Sequence, residues 1–213
     1  GGDTLSYAIA IEELTRVDSS VAITVAAHTS LGTMPILLFG TEEQKAEWLP
    51  DLAAGRKLAA FGLTEPGAGS DAGATRTHAQ LRDGSWVVNG AKIFITNAGT
   101  DLSACVTITA RTGEDEISNI VVENGTPGYT ISAPMKKLGW RASDTRELSF
   151  EDCSVPEGNL LGEQGAEAQA REPRRGIAPH LEPAGPQEVV PALEPLLLRA
   201  AGLGARHVAA RDG

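Results

Sequence analysis

Residues 85–96 read SWVVNGAKIFIT, two runs of β-branched, aromatic and other apolar residues on either side of Asn89-Gly90. Side chains of that kind favour strands, and Asn-Gly between two such runs is a strong local signal for a two-residue hairpin turn. The pattern therefore predicts a hairpin here, with Asp83-Gly84 just before it as another turn. Further on, ACVTITAR (104–111), ISNIVVE (117–123), GYTIS (128–132) and TRELSF (145–150) repeat the composition, separated by Gly, Pro, Asn or Asp. About six strands with no helix between them predict an antiparallel barrel or sandwich of roughly 100 residues. A parallel, doubly wound sheet is disfavoured.

Upstream the periodicity changes. In LSYAIAIEELTRV (5–17), Leu5, Ile9 and the Leu14/Val17 region share one stripe at helical spacing, with charged residues opposite. Asp18 is an N-cap candidate for a more apolar helix, DSSVAITVAAHTSL, which reads as buried. Thr41 with Gln44 three residues on predicts a capping box, and Glu42 and Glu43 suit the positive end of the helix dipole. That helix, EEQKAEWL, is expected to give way at Pro50. The fold class is thus α+β: helical residues 1–59, then a β-domain over 60–165.

A third segment, 166–213, contains no Ser, Thr, Asn, Lys, Cys, Met or aromatic residue, and six of the twelve prolines fall between Pro173 and Pro195. Without helix-capping or core-filling residues it is expected to pack little before Pro195, although residues 192–211 have the composition of a short helix. Its bias toward Ala, Arg, Pro, Gly and Leu suggests a reading in a shifted frame.

Composition narrows the function. The net charge of −10 disfavours nucleic acid and anionic membranes as partners of the whole chain. No apolar stretch approaches the roughly 18 residues of a membrane span, and GGDTLSYAIA lacks the features of a secretory signal. A cytoplasmic setting follows as the expectation. Cys105 and Cys153, the only cysteines, are expected to be reduced structural thiols, and two cysteines do not make a metal site. Trp48, Trp86 and Trp140 read as core or anchoring residues.

The segment most suggestive of chemistry is FGLTEPGAGSDAG (61–73). It lacks the Lys-Ser/Thr that a Walker A phosphate loop requires after its last glycine. A dinucleotide fingerprint needs a strand before it, a helix after it and a different glycine spacing. A nucleophile elbow around Ser70 would need glycines where Ala68 and Ala72 stand. Neither His28, in the apolar helix, nor His78, His180 or His207 has a placement that points to a serine hydrolase. Alone, the stretch reads as a tight turn between a helical region and a sheet.

With KIFITNAG (92–99), however, the loop resembles the flavin-binding signature of the acyl-CoA dehydrogenase family. VDSSVAITVAAHTSLGTMPILLFGTEEQKAEWLPDLAAG before it and KKLGWRASDTRELSFEDCSVPEGNLLGEQG after it extend the resemblance from about Leu5 to Gly165, most like short-chain or branched-chain members. The resemblance implies FAD as cofactor, with Phe61, Leu63, Thr64, Gly69 and Ser70 along one side. Leu63 and Thr64 would lie at the ring's pyrimidine edge, and Ser70 would lie by the pyrophosphate and also against the acyl-CoA. Phe94 would cover the flavin face where many members carry Trp, followed by Ile95 and by Thr96 near the hydride-accepting atom. Glycines at 67 and 69 would allow close backbone approach and positive φ.

The implied reaction is α,β-desaturation of an acyl-CoA thioester with hydride transfer to FAD, as in fatty acid β-oxidation, with an electron-transfer flavoprotein as acceptor and a homotetramer as assembly. By the same resemblance, the catalytic glutamate belongs to a C-terminal helical bundle that 166–213 does not match, and the first helices of the family precede residue 1. No catalytic residue is therefore assigned here, and the chain is expected to be truncated and inactive alone. A non-catalytic FAD or acyl-CoA binding module, or a flavin oxidase or hydroxylase of the same fold, are the alternatives. A bacterial-type cytoplasmic enzyme is favoured over a mitochondrial one.

Overall fold

The computed structural model describes residues 3–165; the expectations for 166–213 lie outside the described residues. Four helices come first: α1 (Thr4–Val17), α2 (Ser19–Ala27), α3 (Met34–Phe39) and α4 (Glu42–Ala53), with a π-helical turn, His28–Thr33, joining α2 to α3. Asp18 separates α1 from α2 as expected, its carboxylate accepting from the N–H groups of Ser20 and Val21 at 2.6 and 3.4 Å. The Thr41 capping box is present, with Gln44 Oε1 accepting from Thr41 N–H at 2.9 Å and Thr41 Oγ1 from Gln44 N–H at 3.2 Å.

One helical expectation is corrected. Pro50 does not end α4, which runs on to Ala53. Trp48 and Leu52, buried on either side of it, anchor both halves and offset the missing N–H. The stripe on α1 is not buried: no α1 residue is, and Leu5, Ile9 and Val17 are exposed. Helical periodicity makes an amphipathic face; only a neighbouring element buries it.

Contrary to expectation, the run Ser19–Phe39 is long and apolar enough, by length and composition, to cross a membrane. Here it packs against the β-domain. Ala22, Val25, Ala27, His28, Gly32 and Ile36 are its buried residues apart from Ser20.

The β-domain has β1 (Leu58–Gly62), β2 (His78–Arg82), β3 (Ser85–Thr96), β4 (Ser103–Arg111), β5 (Ile117–Glu123), β6 (Tyr129–Ile131), β7 (Thr145–Pro156) and β8 (Leu160–Leu161). They form one open sheet in the order β6-β7-β3-β2-β4-β5-β8, with β1 pairing β4, and not a closed barrel. Most pairs are antiparallel, but β1 and β4 run parallel, because the loop after β1 and the β2/β3 hairpin intervene. The main core lies among Trp86, Val88, Ile95, Val106, Ile108, Ile120, Leu148, Phe150 and their neighbours. Cys105 and Cys153 are free and buried, and burial pushes their thiols up to about 12 and about 11.

Asn89-Gly90 is not a hairpin turn. That role falls to Asp83-Gly84 (φ 50° and 75°), while Asn89 and Gly90 continue β3. The register of β3 on β7 slips by one residue between Val88 and Gly90 and returns between Lys92 and Ile95. Each slip coincides with a positive-φ residue: Asp152 (44°) on β7 and Phe94 (64°) on β3. Two compensating bulges result, the first clipped by Asn89 and Asp152, whose reciprocal bonds measure 3.1 and 2.9 Å.

Candidate functional site

β1 delivers the glycine-rich loop from the centre of the sheet. Phe61 is opposite Thr107 on β4, and Gly62 is so closely covered that a Cβ there would sit 3.1 Å from Ile108 Cγ2 and 3.2 Å from Lys92 Cγ. Leu63 and Thr64 are half-buried. Glu65 and Ala68 then close a tight turn through reciprocal backbone bonds of 2.9 and 3.1 Å. Beyond it Gly69 and Ser70 are exposed.

Neither Gly67 nor Gly69 has a positive φ, contrary to the conformational role allowed for them. Their use is space. A Cβ at Gly69 would meet nothing within 4 Å, and one at Gly67 only the Arg76 guanidinium carbon at 4.0 Å. Among the described residues, the N–H groups of Gly67, Gly69 and Ser70 have no acceptor. An anionic group approaching the loop would find free donors with no side chain in front of the glycines.

The second segment lies against the first. Ile93 N–H donates to Thr64 O at 2.8 Å, and Lys92 Nζ donates to Leu63 O at 3.2 Å and Glu65 Oε1 at 2.8 Å. Next, the β3 bulge turns Phe94 outward, 64% exposed, and Ile95 inward, 3% exposed, with Thr96 half-buried. Residues 63–65 and 92–93 are thus in direct contact, with Thr96 at the end of the same strand. Gly69 and Ser70 are not tied to that strand by any hydrogen bond. An open cavity of about 290 Å³ lies on the flank bounded by Pro66, Arg76, His78 and Asn89. It does not include Phe94, Ile95 or Thr96.

The sequence reading missed the polar cluster beneath the loop. The Glu65 carboxylate accepts from Thr75 Oγ1, Arg76 N–H (2.7 Å), Thr77 N–H (3.0 Å) and Lys92 Nζ. Lys92 also donates to Thr75 Oγ1 at 3.2 Å and Thr109 Oγ1 at 2.9 Å. Burial raises the Glu65 pKa, but these donors, Lys92 first, outweigh it and bring the group to about 2. A signal was available: Lys92 shares strand parity with the core residue Val88, and a lysine on a buried face requires a buried counter-charge.

Asn97 was missed as well. It is fully buried at φ 66°, and its Nδ2 donates to Thr24 O on α2 at 2.9 Å. It links the end of the second segment to the helical layer.

A helical layer thus packs on an open sheet, and the loop that follows β1 meets strand β3 at residues 63–65 and 92–93. The acyl-CoA dehydrogenase N-terminal domain model matches residues 1–56, and the acyl-CoA dehydrogenase middle domain model matches residues 60–153. The chain belongs to the acyl-CoA dehydrogenase family. It is 48% identical over 167 residues to the short-chain specific acyl-CoA dehydrogenase of Clostridium acetobutylicum, covering 78% of this chain and 44% of that one. Its fold is similar to butyryl-CoA dehydrogenase from Megasphaera elsdenii, with a TM-score of 0.75, 45% identity and coverage of 79% of this chain and 45% of that one. It also resembles an acyl-CoA dehydrogenase complexed with FAD from Bacillus anthracis, with a TM-score of 0.65, 44% identity and coverage of 68% and 25%. The chain thus spans 40–44% of the length of the curated relatives it matches.

Proposed function

We propose that the slot between residues 63–70 and residues 92–96 holds FAD, and that the protein to which this chain corresponds desaturates short-chain acyl-CoA thioesters. The observation that carries the reading is the direct junction of the two segments, through Ile93 N–H to Thr64 O, within a chain of this family. The relatives above support the cofactor and the substrate class: one is complexed with FAD, and others are named for short-chain acyl-CoA or butyryl-CoA.

When bound, FAD supplies a hydride acceptor. The chain's own residues do the rest of what this half can do. Phe94 presents an exposed aromatic face to stack on the ring, and Ile95 locks the bulge that aims it. Leu63 and Thr64 would lie along the pyrimidine edge, with Phe61 behind them on β1. Thr96, paired with Thr145 on β7, would donate near the reacting edge. The free N–H groups of Gly69 and Ser70 would receive the pyrophosphate, and the Ser70 hydroxyl would also face the acyl-CoA. Glu65 is not the proton-abstracting base, because its carboxylate is saturated by four donors. No base is assigned to this chain.

The same reading carries an electron-transfer flavoprotein as electron acceptor, a homotetramer as assembly, and a bacterial-type soluble enzyme of fatty acid β-oxidation. Anaerobic titration of the FAD-loaded chain with butyryl-CoA tests it. Flavin uptake without bleaching at 450 nm is expected for a chain that holds the slot without the base. Absence of uptake would remove the flavin reading, and stoichiometric bleaching would show that a base is present after all.

A further inference from the structure

The two segments of the slot meet where the sheet offers almost no backbone pairing. β2 pairs β3 only from Ser85 to Asn89, so from Gly90 onward that edge of β3 has lost its neighbour. Across the gap to residues 63–65, one backbone bond remains, Ile93 N–H to Thr64 O. The Lys92 ammonium takes the place of the missing ladder. Its side chain is fully buried, and it donates to Leu63 O and Glu65 on the loop, to Thr75 before β2, and to Thr109 on β4. Glu65 returns the link by accepting the N–H groups of Arg76 and Thr77.

Stability alone is a poor explanation for such a pair. Two buried charges can often be replaced by apolar groups of the same volume without loss, whereas removal of one leaves the other uncompensated. What the pair provides is position. Glu65 follows Thr64 directly, and Lys92 lies two residues before Phe94, about 7 Å along an extended strand. Movement of either partner carries one wall of the slot with it.

We infer that Glu65 and Lys92 are the positioning residues of the cofactor slot, fixing the spacing of its two walls and, as a neutral pair, leaving no net charge beside the flavin. This inference rests on the flavin reading above. Neither partner touches the ring; both act through Thr64 and Phe94. Loss of one partner therefore has two separable effects: the spacing loosens, and one charge is exposed to the redox centre through low-dielectric protein. The Glu65 carboxylate keeps three donors, from Thr75, Arg76 and Thr77, when Lys92 is removed. The Lys92 ammonium keeps Leu63 O, Thr75 and Thr109 as acceptors when Glu65 is removed.

The test uses the FAD-loaded 213-residue chain and its Glu65→Gln, Lys92→Met, Lys92→Arg and Glu65→Gln/Lys92→Met variants, read by FAD affinity and by the midpoint potential of the bound flavin in a dithionite titration. Each neutralising single variant is expected to weaken FAD binding tenfold or more. Glu65→Gln raises the potential and Lys92→Met lowers it, while Lys92→Arg stays at the wild-type potential. The double variant returns to the wild-type potential but keeps the weakened affinity. A merely structural defect would not move the potential in opposite directions.

Glu65→Gln preserves shape, so it decides the matter even if Lys92→Met fails to fold. Wild-type affinity and potential in that variant, or shifts of the same sign in both single variants, overturn the inference. If the wild-type chain takes up no FAD, the flavin reading falls and this inference falls with it; uptake with indifferent variants removes this inference alone.

Discussion

Asn97 donates from Nδ2 to the carbonyl of Thr24 at 2.9 Å, joining the residue after the candidate flavin wall to the middle of α2. The bond needs Asn97 in the left-handed region, at φ 66°, where asparagine and glycine are tolerated and most residues are strained. Asn97→Gly keeps the backbone and loses the bond, at a cost of about 1 to 2 kcal/mol. Asn97→Ala loses the bond and adds about 1 to 2 kcal/mol of backbone strain. Urea denaturation should rank wild type above Gly and Gly above Ala. An alanine variant as stable as the glycine one would mean that the left-handed backbone carries no cost.

Phe94 combines a positive φ with 64% exposure, so it is strained and contributes little to the core. Strain held in an exposed aromatic residue is best explained by a ligand that the ring serves. Phe94→Gly should leave folding stability unchanged or raise it by about 1 kcal/mol, while weakening FAD binding tenfold or more. Fluorescence titration with FAD beside thermal unfolding separates the two. A variant that loses stability and keeps its FAD affinity would assign the ring to packing.

The pH dependence of Glu65 follows from its held charge. Its pKa is about 2 in the folded chain against an ordinary 4.5, since the donors from Lys92, Thr75, Arg76 and Thr77 prevail over desolvation. Between these values the unfolded chain binds the proton and the folded one does not, so stability rises with pH there. The contribution is complete above 4.5, amounts to about 3 kcal/mol, and is lost as the pH falls toward 2. Denaturant midpoints measured across that window should fall in the wild type and flatten in Glu65→Gln. Equal slopes in both would show that other carboxylates dominate the acid limb.

Helix starts were legible because their causes are local: Asp18 and Thr41 bond to backbone groups two or three residues away. Asp83-Gly84 was legible for the same reason. Asn89-Gly90 carries an equally strong local signal, yet its conformation is set by Asp152, 63 residues on, and by Thr77, which leaves no room for a Cβ at Gly90. A bulge depends on the register of two strands, and register is not written in either strand alone. Likewise, the motif pair pointed to the slot, but the partners of Lys92 come from the loop after β1, the segment before β2, and β4. Its burial was inferable from strand parity; its partners required the fold.

The seam between the helical layer and β1 supplies the last prediction. The π-helical turn brings Gly32 against β1 so closely that a Cβ there would lie 2.2 Å from Ala59 O. At the same seam His28 is buried, with Nε2 3.1 Å from Leu52 O and Nδ1 accepting from Ala59 N–H at 3.1 Å. Since Ala59 N–H can only donate, Nδ1 is bare and the ring is neutral with its proton on Nε2. Burial lowers the His28 pKa below its ordinary 6.5, against the pull of its backbone bonds. As the pH drops below 6.5, the unfolded chain takes up a proton that the folded chain refuses, so stability declines with acidification from that point. Replacement by Gln removes the titration and retains one donor and one acceptor. His28→Gln should therefore be less stable than wild type at pH 8 by about 1 to 2 kcal/mol, because its shorter reach fits the two backbone partners less well. The difference should narrow as the pH is lowered from 6.5. A gap that stays constant from pH 8 to pH 5 would show that His28 remains uncoupled from the proton equilibrium of folding.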